Sequence, residues 1–226
     1  MSGATQSAIA VLEHSSEELS SWSQSVGKRA FDVTISALGL ILISPLLVVI
    51  ALVIKLTSAG PVLYRQVRVG QHGSCFELLK FRTMTGAAGP SLTRKGDQRI
   101  TPLGRLLRRT KLDELPQLLN VLWGDMTLVG PRPDLPQFWS TLHPRYQAIR
   151  RLRPGITGCA SLKFSNEEKL LASIPEESVT EYYISSHLPL KVQIDLDYAK
   201  RASLLSDLRV LWATLTGTGK QALKIS

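Results

Sequence analysis

From Val33 to Ile54 the chain carries no charged residue. A helix through that run is long enough to cross the hydrocarbon core of a bilayer, so this stretch constrains the fold more than any other. It is too long, and begins too late, for a secretory leader, and no small-x-small cleavage site follows it. Its interior holds Ser44-Pro45. A proline inside a helix removes one backbone donor and crowds the carbonyl four residues earlier, that of Ile41. The Ser44 hydroxyl can help satisfy the freed backbone, and a kink is expected mid-run.

The flanks decide how such a helix would sit. Lys28 and Arg29 precede the run, and Lys55, Arg65 and Arg68 follow it. Positive charge beside a membrane segment stays on the cytoplasmic side. A helix that enters, bends at Ser44-Pro45 and returns keeps both basic flanks inside. The sequence therefore favours a re-entrant helix over a straight span, and either over a buried helix of a soluble protein.

The net charge is +9, yet residues 1–27 contain Glu13, Glu17 and Glu18 and no Lys or Arg. All cations lie from Lys28 onward, a surface suited to lipid headgroups, nucleotides or phosphates. Nucleic acid is not the expected partner. Aromatic residues are only 6% of the chain, and they are not interleaved with the cations as a stacking platform requires. There is no phosphate-binding Gly-x-x-x-x-Gly-Lys loop and no dinucleotide fingerprint. The two cysteines, Cys75 and Cys159, stand far apart with no metal-ligand spacing, and read as reduced core thiols.

Residues 1–27 read as a polar, mobile tail. Val62–Val69 and Cys75–Arg82, separated by the turn signal Gly70-Gln71-His72-Gly73-Ser74, predict a β-hairpin. Thr85–Gly96 reads as a loop. Thr101-Pro102 starts a helix with one leucine face and one basic face, and a second helical stretch is predicted over 114–122. Val129-Gly130-Pro131-Arg132-Pro133 is a stiff turn, suited to presenting the Arg132 guanidinium to an anion. Helices are predicted over 136–153, 166–171 and 190–215. The last carries Leu204, Leu205, Leu208, Leu211, Trp212 and Leu215, which would pack on the core or lie on a membrane surface.

Asp113-Glu114 stands among Arg108, Arg109, Lys111, Arg132, Arg150, Arg151 and Arg153. One reading makes Asp113 the N-cap of the helix that follows, with Glu114 favouring the positive end of its dipole. The other is phosphate chemistry. Paired carboxylates bind Mg2+ together with substrate phosphates, a carboxylate can attack phosphorus, and arginines neutralise the transferring group. The two readings are compatible, because a helix N-terminus also attracts phosphate.

The chain resembles the bacterial sugar transferase family, the small monotopic polyprenyl-phosphate phosphoglycosyl transferases. The resemblance rests on ordered blocks: Lys28-Arg29-Ala30-Phe31-Asp32, Ser44-Pro45, Gly60–Gln66, Lys80–Met84, Leu112–Gln117, Asn120–Met126, Val129–Pro133 and Arg153–Gly158. It covers roughly residues 28–215, and so many blocks in order form a specific signal. The resemblance implies transfer of a sugar 1-phosphate from a UDP-sugar to a polyprenyl (undecaprenyl) phosphate. UMP leaves and a polyprenyl-diphosphate sugar forms, the first membrane step in making exopolysaccharide, capsule or O-antigen. It implies Asp113 as nucleophile and Glu114 as its supporting carboxylate, with both at a Mg2+ site. Lys80, Arg82, Arg108, Arg132, Arg153 and Lys163 are the implied phosphate-binding cations, and Ser44-Pro45 the break of a re-entrant helix. It departs from the pattern after Gly158. Ser165 stands where an arginine contacting phosphate is expected, and Lys163 offers a point charge without a bidentate fork.

The implied fold is α+β and mostly helical: a monotopic membrane protein with a proline-broken re-entrant N-terminal helix, a short β-hairpin and a cytosolic catalytic domain with amphipathic helices. The implied organisation is a tail over 1–27, the re-entrant helix over 28–57 and the catalytic domain over 58–226, a minimal form without a further N-terminal membrane domain. Its expected place is the cytosolic face of the bacterial inner membrane, touching membrane lipids, with a homodimer as one compatible assembly. Two rivals remain: a basic membrane scaffold without catalysis, and direct attack of lipid phosphate on the donor with Asp113 as base or metal ligand. The sugar is not specified.

Overall fold

The computed structural model describes residues 18–86, 92–93, 96–140 and 144–218. Most of the expected mobile tail, residues 1–17, and part of the Thr85–Gly96 loop lie outside the described residues. Residues 18–25, also assigned to the tail, are built into the structure. Ser20 N–H donates to the Ala199 carbonyl (3.0 Å), and Trp22 Nε1 donates to Asp207 (2.9 Å).

The long apolar run forms one helix, α1 (Val26–Thr57), capped by the Ser25 side chain, which accepts from Lys28 N–H. Ser44 Oγ donates to the Ile41 carbonyl at 2.9 Å, the partner anticipated for the group Pro45 leaves free. The helix is inside out. Its buried residues include Lys28, Asp32 and Ser36, whereas Ile41 is 73% exposed, Leu42 81% and Leu56 84%. It is long and apolar enough to cross a membrane, and only 11% of its most apolar window is buried. A soluble core helix hides its apolar face; this one hides its polar face and anchors through Ile50 and Ile54 against Phe81 and Leu107.

The hairpin forms as expected: β1 (Leu63–Val69) pairs antiparallel with β2 (Cys75–Phe81), Leu63 opposite Phe81 and Val69 opposite Cys75. Cys75 is exposed there, so the expectation of two core thiols holds for Cys159 alone. Next come α2 (Pro102–Thr110), capped by Thr101, a 3-10 turn over Leu112–Glu114, and α3 (Gln117–Trp123), stopped by Gly124 at φ 100°. Asp113 is not a helix N-cap: it lies inside the 3-10 turn, and the residue before α3 is Pro116. Asn120 locks α3 to β2. Its side chain accepts from Leu79 N–H and donates to the Glu77 carbonyl (3.0 and 2.8 Å).

Two three-residue strands went unpredicted: β3 (Thr127–Val129) runs parallel to β4 (Gly155–Thr157). They are hidden in stretches dense in glycine and proline, where period-two patterning has no room to show. A Cβ added at Gly158 would lie 2.2 Å from the Gly130 carbonyl, so the backbones touch where no side chain fits. The single helix expected over 136–153 does not form. It is replaced by α4 (Pro136–Trp139) and a 3-10 segment (Pro144–Arg151); Pro144 would cost a helix running through it a hydrogen bond and crowd the preceding turn.

Then follow α5 (Cys159–Lys163), α6 (Glu167–Ala172), α7 (Val179–Tyr182), a π-helical turn (Tyr183–His187), α8 (Leu188–Arg201) and α9 (Leu204–Thr216). The predicted helix over 190–215 divides at Ala202-Ser203. Ser203 and Ser206 form a reciprocal capping box that starts α9 afresh. Most of the leucine stripe of α9 faces outward, Trp212 at 69% exposed and Leu215 at 83%. Val210 and Ala213 supply the core contacts instead. A second cluster joins Phe138, Ile149 and Tyr183 to Leu188, Val192 and Leu196 of α8. The whole is mostly helical with short strands and one long apolar N-terminal helix.

Candidate active site

Asp113 is held by a tight reversal. Thr110 closes α2, and Lys111 turns into the left-handed region (φ 60°), which sends Leu112–Glu114 into the 3-10 turn. Asp113 is 6% exposed, and its Oδ1 has no hydrogen-bond partner among the described residues. Burial raises its pKa, as does Glu114 next door, while Lys80, Arg108 and Arg132 pull the other way. The carboxylate is thus made more basic but kept within reach of three cations.

Glu114 is differently placed. Arg132 Nη2 donates to Oε1 at 2.6 Å and Nη1 to Oε2 at 3.5 Å. Burial opposes its charge, but Arg132, with Lys111 and Lys80, holds the carboxyl down to about 2. Arg132 itself is held above its ordinary value, Glu114 being the main cause. The Pro-Arg-Pro turn therefore presents a guanidinium already docked on one carboxylate of the dyad.

Lys80 and Arg108 complete the ring. Lys80 sits at about 8, lowered by burial and then by Arg68 and Arg132, with Glu114 and Asp113 opposing. Its Nζ lies 5.4 Å from the centre of the Tyr64 ring. Arg108 pairs with Glu168 on α6 and lies 3.7 Å from Met84 Sδ.

The structure does not draw every candidate to this ring. Arg82 Nη2 donates to the Ser58 carbonyl and hydroxyl (2.8 and 2.7 Å), tying the end of α1 to the end of β2. Arg153 lines a cavity of about 230 Å³ with Arg29, Asp32, Gly130 and Asp195, and burial and Arg29 lower its pKa. Lys163 is exposed at the end of α5. Lys28 and Asp32, in the first matching block, are structural. Lys28 Nζ contacts Asp207 at 2.7 Å, and Asp32 accepts from Thr127 Oγ1 and Leu128 N–H.

Several residues that the sequence did not single out surround the Arg132 turn. Arg68 Nη1 donates to the Pro133 carbonyl (3.2 Å). Tyr183 OH donates to Asp134 at 2.9 Å, and Lys191 Nζ donates both to Tyr183 OH and to Glu167 (each 3.1 Å). His187 Nε2 also donates to Glu167, at 2.8 Å. Asp195 accepts the backbone N–H of Ala160 at 2.9 Å. A usable signal was present: Lys191 and Asp195 sit one turn apart among Leu188, Val192 and Leu196, charges on an apolar helix face.

Among the described residues no group of three or more His, Cys, Asp or Glu is arranged to hold a metal ion. The dyad still fits Mg2+. That ion is commonly held by one or two carboxylates, with phosphates and water completing the shell, and Asp113 Oδ1 is a buried hard oxygen without a partner.

A family model described as bacterial sugar transferase matches residues 23–221. The UDP-glucose:undecaprenyl-phosphate glucose-1-phosphate transferase of Caulobacter vibrioides is 40% identical over 83% of this chain and 68% of its own length. The exopolysaccharide production protein PSS of Rhizobium leguminosarum bv. phaseoli is 37% identical, over 83% of this chain and 92% of its own length. The UDP-N-acetylgalactosamine-undecaprenyl-phosphate N-acetylgalactosaminephosphotransferase of Aeromonas hydrophila is 34% identical over 85% of this chain, which spans only 44% of that protein.

Proposed function

The chain belongs to the bacterial sugar transferase family, and we propose that it moves a sugar 1-phosphate from a UDP-sugar to polyprenyl phosphate by way of Asp113. The observation that carries this reading is the contrast within the dyad. Glu114 is saturated by Arg132, while Asp113 keeps a buried, unpartnered oxygen. In the first half-reaction an Asp113 oxygen attacks the phosphorus that bears the sugar. The bond from that phosphorus to the bridging oxygen breaks, and UMP leaves with the electron pair. In the second, an oxygen of polyprenyl phosphate attacks the same phosphorus and expels the Asp113 carboxylate. No net proton moves, and one site serves both acceptors in turn.

Arg132, Arg108 and Lys80 neutralise the phosphoryl oxygens as charge spreads over them. Donor phosphates would compete with Glu168 for Arg108. Asp113, aided by Glu114, would hold Mg2+, which supplies charge screening between carboxylate and diphosphate when bound. The inside-out α1 and the exposed leucine stripe of α9 support placement of this chemistry at headgroup depth, where a soluble donor meets a lipid phosphate. A re-entrant α1, bent at Ser44-Pro45, keeps its basic flanks on the cytosolic face of the inner membrane. The named relatives act on different sugars, and the donor of this chain is left to assay.

The test uses the full chain in nanodiscs with Mg2+ and a panel of UDP-sugars. One donor should release UMP only when polyprenyl phosphate is supplied, beyond a single-turnover burst. Donor alone should leave a sugar phosphate on Asp113, seen by mass spectrometry after rapid acid quench. UMP release without lipid acceptor beyond one equivalent, or steady turnover by Asp113→Ala, would refute the mechanism.

A further inference from the structure

Arg132 reaches Glu114 from a turn whose two arms are held differently. Pro131 and Pro133 have no N–H, so the turn depends on its carbonyls and on neighbouring side chains. The incoming arm is tied by backbone bonds: Gly130 N–H donates to the Thr157 carbonyl (2.9 Å) and Gly155 N–H to the Pro131 carbonyl (2.8 Å). The outgoing arm is tied to β1, where Arg68 Nη1 donates to the Pro133 carbonyl (3.2 Å) and Val69 N–H to the Asp134 carbonyl (3.1 Å). It has one further tie, made between side chains. Asp134 is 6% exposed, and among the described residues its carboxylate is hydrogen-bonded by Tyr183 OH alone, 2.9 and 3.0 Å from the two oxygens. That hydroxyl is itself held. Lys191 Nζ donates to it and to Glu167 (each 3.1 Å), and His187 Nε2 donates to the same Glu167 oxygen (2.8 Å). A chain of bonds thus runs from α6 and α8 through Tyr183 to the residue two positions beyond Arg132.

We propose that Tyr183 is a positioning residue for the transfer reaction: its hydroxyl fixes the Asp134 carboxylate, and with it the outgoing arm of the turn, so that the Arg132 guanidinium is aimed at the dyad. This inference rests on the reaction proposed above and extends it to a side chain with no hydrogen bond to Asp113 or Glu114. Core packing alone does not account for a tyrosine here. Its ring packs against Phe138, centroids 4.9 Å apart, a contact that phenylalanine would keep. A buried hydroxyl set between an ammonium and a carboxylate does what an apolar ring cannot. Burial, with Asp134 and Glu167, holds the Tyr183 phenol well above its ordinary value, so it stays protonated and donates. Tyr183 and His187 begin and end the π-helical turn, their rings 5.7 Å apart. Such turns interrupt regular helix where a side chain must be re-aimed, here inward to Asp134 and Glu167.

The experiment has two arms on the full chain in nanodiscs, with Tyr183→Phe, which keeps the ring and removes only the hydroxyl. Hydrogen exchange reads the clamp without reference to activity. Val69 N–H, bonded to the Asp134 carbonyl, should exchange about tenfold faster or more, the scale of a lost hydrogen bond to a charged group. Exchange in α3 should stay as in wild type. Unchanged exchange at Val69 overturns the clamp whatever the activity. UMP release reads the consequence. Tyr183→Phe should lower kcat by about tenfold and leave KM within about twofold, because the guanidinium serves the transferring group in the transition state. In an Arg132→Ala background the same change should cost less than about twofold, since it acts through that side chain. A full loss in that background, or an unchanged kcat in the single variant, would overturn the positioning role. If Tyr183→Phe does not fold, Asp134→Ala removes the same bond from its other end, and both arms are read on it with the same expectations. A wild type that releases no UMP from any donor would instead remove the reaction reading, with the exchange arm still deciding the clamp.

Discussion

Two of the buried charge clusters among the described residues differ in one respect. In the first, Lys28 meets Asp207 at 2.7 Å, and Asp207 also accepts from Trp22 and Tyr198. Asp32 beside it accepts from Thr127 and Leu128. Both carboxylates have all their oxygens engaged. In the second, Glu114 is likewise saturated by Arg132, but Asp113 next to it leaves an oxygen buried and unpaired. A fully satisfied cluster joins elements: here the entry of α1 to α9 and β3. A cluster with one vacancy stores unfavourable desolvation where a substrate can relieve it.

The strongest way to break this comparison is to remove one carboxylate from each cluster. Asp113→Asn should lower UMP release by about a thousandfold or more, the scale seen when a nucleophile is removed. Its thermal midpoint should not fall, because a buried charge with raised pKa is lost. Asp207→Ala should do the reverse. It leaves Lys28 charged and buried without its nearer partner, only Asp32 remaining at 3.8 Å, which costs about 3–5 kcal/mol, while turnover per folded molecule stays near wild type. Chemical denaturation and active-site titration separate the two quantities. A stability loss at Asp113 matching that at Asp207 would erase the distinction.

Acid sharpens it next. Glu114 is held at about 2, against an ordinary value of 4.5. Its folded pKa is depressed, so it contributes stability that is present above about pH 4.5 and lost as pH falls toward 2. At 1.36 kcal/mol per pKa unit that is about 3 kcal/mol. Glu114→Gln should flatten the fall in unfolding free energy over that window by a comparable amount. Asp113, with its pKa raised, contributes in the opposite sense, and Asp113→Asn should leave the acid fall at least as steep. Equal slopes in wild type and Glu114→Gln would mean that Arg132 does not grip Glu114 in solution.

The same comparison explains what could be read from the chain alone. The long apolar helix, the hairpin and the dyad were legible because each is written locally: a charge-free run, two β-rich stretches around a turn, two adjacent carboxylates. The structural use of Lys28 and Asp32 was not, because their partners Asp207 and Thr127 are distant in sequence. Asn120 sits in a matching block yet binds only backbone of β2 and a neighbouring Asp125, so it holds the fold together. The resemblance grouped Arg82 and Arg153 with Arg132, and only the packing separates them. Tyr183 escaped notice because its partner Asp134 lies 49 residues away in the sequence. Ser203 carried a capping signal that the surrounding leucine periodicity concealed.

The smallest expected effect concerns the backbone beneath the dyad. Lys111 ends α2 at φ 60°, its N–H donating back to the Arg108 and Leu107 carbonyls. A residue with a Cβ in that region is strained by about 1–2 kcal/mol relative to glycine. Glycine there would shed the strain but lose more freedom on folding, which costs about 0.5–1 kcal/mol. The balance for Lys111→Gly is a gain of about 0–1.5 kcal/mol, or roughly 3–6 °C at most in a chain of this size. Lys111 also helps hold Glu114 down, so its loss should weaken the acid window described above while Glu114 remains paired. A thermal midpoint that rises slightly while kcat/KM falls would show that the strained lysine serves the dyad. A marked drop in stability would mean that the left-handed turn is not the conformation the free protein adopts, and that the tight reversal presenting Asp113 forms only with substrate.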